Sequence, residues 1–101
     1  MELFRATDPL GRKISLTAER YSHMTMFRPE LEGKFKEIEE TVCNPDFIKK
    51  SRLDGKVELY HKKVKNGRLL IIVIKTHENS GFVLTGYYSK TEKPGETSWK
   101  K

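Results

Sequence analysis

Three histidines and one cysteine are the imidazole and thiol groups of this sequence, the side chains best suited to proton transfer near neutrality or to nitrogen and sulfur metal ligation: His23, Cys43, His61 and His77. Cys43 is the only cysteine, which excludes an internal disulfide, and no C-x-x-C or comparable spacing surrounds it. The histidines are scattered and no cluster of carboxylates accompanies them, so neither a metal site nor another cofactor is expected. His23 stands in RYSHMTMFRPE, residues 20–30, five positions before Arg28. A histidine of ordinary pKa, about 6.5, can take or give a proton near neutrality. An arginine can clamp a phosphate through two parallel hydrogen bonds. The plain alternative is a helix-surface histidine held by a neighbour.

These residues must be positioned by a small set of elements. DPLG, with Pro9 second and Gly11 fourth, closes a hairpin between LFRAT and KISLT. Thr17 is a good N-cap, with Leu16 and Tyr21 spaced as a hydrophobic staple, and predicts a helix over 18–27. Five residues at about 100° each would set His23 and Arg28 about 140° apart on an unbroken helix. Pro29 disfavours helical backbone at Arg28, so the helix ends there and the arginine is free to swing back. Leu31, Phe35, Ile38 and Val42 form the apolar stripe of a second helix, stopped by Asn44-Pro45.

From Phe47 onward the pattern is that of strands. Asp54-Gly55 and Asn66-Gly67 are turn pairs, and RLLIIVIKT is continuous enough in apolar residues to be a buried central strand. GFVLTGYYSK follows. The fold class expected is α+β: an N-terminal hairpin and two helices packed on a four-stranded antiparallel sheet. Residues 1–90 make the single domain and 91–101 a basic, flexible tail. If KNGR is a two-residue turn, Lys65 opposes Arg68, Tyr60 faces Val73 and Glu58 faces Lys75. The face away from the helices would then gather Tyr60, Lys62, Lys75, Thr85, Tyr87 and Ser89, with Glu58 its one acid. Cations, hydroxyls and aromatic rings together suit a phosphodiester and a stacked base.

Composition agrees with that partner. With 20 Lys and Arg against 14 Asp and Glu the formal charge is +6, which favours a polyanion. The start of the chain has no apolar leader core and no run nears the length of a membrane span, so a soluble protein of a reducing, cytoplasmic compartment is expected.

The order ISLTAERYSHM, RPEL, NPDFIKKSRLDGKVELYHKK, LLIIVIKT and GFVLTGYYSK resembles the phage-associated nucleases of the barnase, EndoU, colicin and RelE-like (BECR) superfamily, over roughly residues 11–90. The resemblance implies a metal-independent RNA endonuclease, toxin-like or phage-derived. The 2′-hydroxyl would attack the adjacent phosphorus and expel the 5′-oxygen of the next nucleotide, leaving a 2′,3′-cyclic phosphate and a 5′-hydroxyl. It implies catalytic roles for His23 as acid or base, for Lys62 and Arg28 on the phosphorane oxygens, and for Tyr60, Thr85 and Ser89 in orienting the phosphate or carrying a proton. Lys75 and Tyr87 would bind substrate. Arg28 stands where relatives commonly carry a second histidine, and an arginine cannot act as acid or base near neutrality. That keeps a catalytically silent RNA-binding module in view, beside a protein-interaction domain of a phage component. The partners implied are RNA, single-stranded or tRNA-like, and an acidic antitoxin or inhibitor; the oligomeric state is left open.

Overall fold

The computed structural model describes residues 1–101. Local signals set the first boundaries. Asp8 Oδ1 accepts the N–H groups of Leu10 and Arg12 at 3.0 and 2.8 Å, and the Asp8 carbonyl accepts from Gly11 N–H at 3.0 Å. This turn joins β1 (Glu2–Thr7) to β2 (Lys13–Thr17) as the expected antiparallel hairpin. Thr17 caps helix α1 (Ala18–Phe27), its hydroxyl accepting from Arg20 N–H at 3.1 Å. Thr17→Ala should therefore cost about 1 kcal/mol in a urea titration; an unchanged midpoint would show the cap to be idle.

Pro29 opens a 3-10 turn, Pro29–Leu31, and Gly33 at φ 73° separates it from helix α2 (Phe35–Cys43). The expected apolar stripe is thus split between turn and helix. Leu31, Ile38 and Val42 are buried, whereas Phe35 is partly exposed. Tyr21 secures this corner, its hydroxyl donating to the Leu31 carbonyl at 2.6 Å and accepting from Lys34 N–H at 3.1 Å.

The sheet has seven strands, not four, in the order β1-β2-β6-β5-β4-β3-β7. Its centre is the expected antiparallel meander of β3 (Phe47–Lys50), β4 (Val57–Lys63), β5 (Leu69–His77) and β6 (Ser80–Ser89). The N-terminal hairpin extends it, β2 pairing β6 in parallel from Lys13 opposite Ser80 to Ser15 opposite Phe82. On the other flank β7 (Thr97–Lys100), drawn from the stretch expected to be a loose tail, pairs antiparallel with β3. It satisfies the backbone groups that β3 would otherwise leave bare at an edge, and Trp99 packs against the core.

The KNGR turn corrects the register. Asn66 and Gly67 take positive φ, 65° and 70°, but Lys65 is absorbed into the turn, so Val64 N–H bonds the Arg68 carbonyl at 2.9 Å and Lys63 opposes Leu69. A slip of one residue turns a strand over. Tyr60 therefore opposes Ile72, and Glu58, Tyr60 and Lys62 lie on the helix side, while Leu59 and His61 take the open face. In β6 a bulge at Leu84 sends Val83 to the helix side opposite Ile74 and leaves Phe82 opposite Lys75 on the open side, the reverse of expectation. Thr85, Tyr87 and Ser89 lie on the open face as expected, opposite Val73, Ile71 and Leu69.

β2 and β4 are three strand spacings apart in order, about 14 Å in a flat sheet. Yet Arg12 bonds Glu58 at 2.8 Å, so the sheet curls and folds the hairpin over the helix side. Phe4, Ala6, Ile14 and Leu16 thereby share one core with Met24, Leu31, Ile38, Val42, Tyr60, Ile72 and Ile74. No helix is long and apolar enough to cross a membrane.

Candidate nucleic-acid interface

The β4–β5 hairpin carries Lys62, Lys63, Lys65 and Arg68 within HKKVKNGR. Because Ser89 opposes Leu69, the chain leaves β6 at the same end of the sheet and adds Lys90. Two cavities adjoin there, sharing Val64 and Arg68. The first, about 430 Å³, is lined by Phe47, Lys63, Val64, Gly67, Arg68, Leu69, Lys90 and Glu92. The second, about 420 Å³, is lined by Lys34, Glu37, Val64, Lys65, Arg68, Leu70 and Tyr88. Both acids are engaged, Glu92 with Lys49 and Glu37 with Lys34 at 3.8 Å. Lys63, Lys65, Arg68 and Lys90 have no carboxylate within 4.0 Å, so their charge faces solvent.

Aromatic rings adjoin these cations. The Arg68 guanidinium lies 4.7 Å from the Tyr88 ring centre. On the open face Tyr87 is flanked by Arg28 at 5.5 Å and by the Lys93 ammonium at 5.8 Å. Each is within the range of cation–π attraction. The Phe47 and His61 rings stack at 4.5 Å and 19°.

The residues singled out from sequence are divided by this geometry. Arg28 and Tyr87 meet, and Thr85 and Ser89 share their face, Ser89 Oγ donating to the Thr91 carbonyl at 2.7 Å. Lys75 is on that face too, but its ammonium is bound to Asp54 at 2.7 Å. His23 is exposed on α1, edge-on to Phe27 at 5.1 Å in a shallow depression with Thr17, Glu19 and Arg20. No hydrogen bond joins His23 to the other candidates. Lys62 points to the helix side, donating to the Asn44 carbonyl at 2.7 Å with Glu40 3.7 Å away.

Tyr60 is wholly buried and cannot touch a substrate in this arrangement. Its phenol donates to Asp8 and accepts from Arg12 Nη2 at 2.9 Å. Burial, then the hydrogen bond to Asp8, pushes it far above the ordinary phenol range. Arg12 is held more firmly protonated by its bond to Glu58. Tyr60 therefore belongs to a closed polar network.

Sequence reasoning missed His61 as a member of the open face because the register was one residue out. Its Nδ1–H donates to the Leu59 carbonyl at 2.8 Å, which fixes the tautomer and leaves Nε2 to accept from Lys93 N–H at 3.2 Å. Burial lowers its basicity. The run KKVKNGR was the legible signal for the cationic hairpin. Cys43 is no activated thiol, since burial raises its pKa. No cluster of three His, Cys, Asp or Glu side chains is placed to hold a metal ion.

No protein-family model matches this chain, and no curated protein and no solved structure gives a significant match.

Proposed function

We propose that this protein binds single-stranded RNA at the cationic β4–β5 hairpin and the adjoining open face. The observation that carries the reading is the group of unpaired cations, Lys63, Lys65, Arg68 and Lys90, around two adjoining cavities beside aromatic rings. Cations without carboxylate partners can neutralise phosphates and release the counterions condensed on them. The half-buried rings of Tyr87 and Tyr88 beside them would add stacking that tolerates any base. The cytoplasm supplies such a partner, and an acidic inhibitor protein would compete for the same cations. Anisotropy of a labelled oligonucleotide against salt tests it: three or four phosphate contacts predict a log–log slope of about −2 to −3. A flat salt response would overturn the reading.

The nuclease resemblance supplies a second reading, favoured by one observation: Arg28 lies against Tyr87 on the face that also carries Thr85 and Ser89. A phosphate clamp and hydroxyls beside a bound strand suit transesterification, with His23 as proton carrier. Incubating labelled RNA in excess EDTA decides it. Cleavage predicts cyclic-phosphate ends from the wild type and their loss in His23→Ala; intact RNA with binding retained leaves the binding module alone.

A further inference from the structure

We propose that residues 91–96 form a strap across the open face, latched by the neutral form of His61, and that protonation of His61 opens the strap and uncovers the face for RNA. The regulation rests on the RNA reading above; the latch itself rests on geometry.

β6 and β7 are four spacings apart in the sheet, so the seven linking residues must cross β5, β4 and β3. That crossing is at least about 19 Å, against an extended reach of about 27 Å from Ser89 to Thr97, which leaves little slack. The strap passes over the open side. Lys93 N–H bonds His61 Nε2 at 3.2 Å, Glu92 pairs with Lys49, and the Glu96 carbonyl accepts from Lys50 N–H at 2.8 Å. At Gly95, φ 145°, an added Cβ would lie 2.1 Å from the Lys50 carbonyl oxygen, so only glycine lets the strap settle there.

His61 is the titrating part of this closure. With Nδ1–H committed to Leu59, Nε2 offers a lone pair to Lys93 N–H; a proton on Nε2 would set donor against donor. The charged groups on this side of the sheet are Lys49 from β3, Lys63 two residues along β4, Glu92 and Lys93 from the strap, and Lys100 from β7 opposite Phe47; β5 and β6 present Ile71 and Tyr87. Asp46, before β3, is turned to Lys63 N–H at 2.7 Å. Glu92 is paired with Lys49 and Asp46 is turned away, so an imidazolium would find no free carboxylate to receive its new proton. Burial and then Lys49 already hold His61 below its ordinary value in the closed form. Glu92 is held low by its bond to Lys49, so it stays ionised while His61 titrates.

The sign follows from linkage. Closure favours neutral His61, so it is fully in force above the open-state pKa of about 6.5 and lost as pH falls through the lower closed-state value. Between the two, opening takes up one proton and the open fraction rises about tenfold per pH unit. If RNA binds only the open form, its apparent affinity rises by the same factor.

The test is amide-exchange NMR on the free protein from pH 7.5 to 5, with RNA affinity measured at fixed salt over the same range. The expected result is loss of protection at Lys93 and Lys50 as the His61 ring titrates, with Ile72 and Ile74 still protected. RNA binding should tighten in step. Gly95→Ala should open the strap at pH 7.5 and bring affinity there to the acid level, and His61→Gln, which can accept but not titrate, should flatten the pH response. Protection at Lys93 that is flat through the His61 titration, or Gly95→Ala with unchanged affinity, would overturn the proposal. Opening without RNA binding at any pH would uphold the latch and remove the RNA reading.

Discussion

Arg12→Met should destabilise the protein by about 3–5 kcal/mol, the range for removing one partner from a buried charge network. Arg12 donates through Nε to Asp8 at 3.0 Å, through Nη1 and Nη2 to Glu58 at 2.8 and 3.2 Å, and to Tyr60 at 2.9 Å. Asp8 is 3% exposed and Glu58 4%, so the variant leaves two carboxylates buried without their cation. The loss would also remove the Arg12 tie between the β1–β2 turn and β4, leaving the Tyr60–Asp8 hydrogen bond as the side-chain link there. Adding Glu58→Gln should recover at least about 1 kcal/mol, because it removes one of the stranded charges. Urea titration of both variants checks this, and a loss under about 1 kcal/mol for Arg12→Met would mean that water reaches the site and the network is not sealed.

Reversing three charges at the hairpin, Lys63→Glu, Arg68→Glu and Lys90→Glu together, should weaken RNA binding by about 100-fold or more near physiological salt and flatten its salt dependence. The three side chains have no carboxylate partners and sit on exposed residues, so thermal stability should hardly move. Lys62→Ala and Lys75→Ala are the contrast: both cations are already bound, to Asn44 and Glu40 and to Asp54, and each should change affinity less than about threefold. Equal losses from the paired and unpaired sets would point to diffuse attraction by net charge and remove the hairpin as a site.

Much of the fold was legible because its signals are local. Thr17 and Pro29 bracket α1 at the expected residues, the DPLG hairpin forms, and the four central strands appear in order. What escaped is set by non-local geometry. No local pattern says that β2 pairs with β6 in parallel, or that the polar stretch around Trp99 is recruited to cover the flank of β3. The candidate face suffered more than the fold, since one residue absorbed into the Lys65 turn moved Tyr60 into the core and brought out His61. A bulge at Leu84 did the same to Val83 while sparing Thr85, Tyr87 and Ser89. Side-chain direction alternates along a strand, so a register inferred from turn type is fragile wherever the loop length is uncertain by one.

The two outer pairings of the sheet have a kinetic consequence. The meander is assembled from strands adjacent in sequence, whereas Lys13 must find Ser80 and Phe47 must find Lys100. Closing such large loops is entropically costly before any contact rewards it. Refolding should therefore begin in the β4–β5–β6 hairpins and finish at the flanks, on the millisecond-to-second scale of sheets rich in remote contacts. The cationic hairpin lies within the early-folding part, while the segment that covers its neighbouring face is fixed only when the last flank closes.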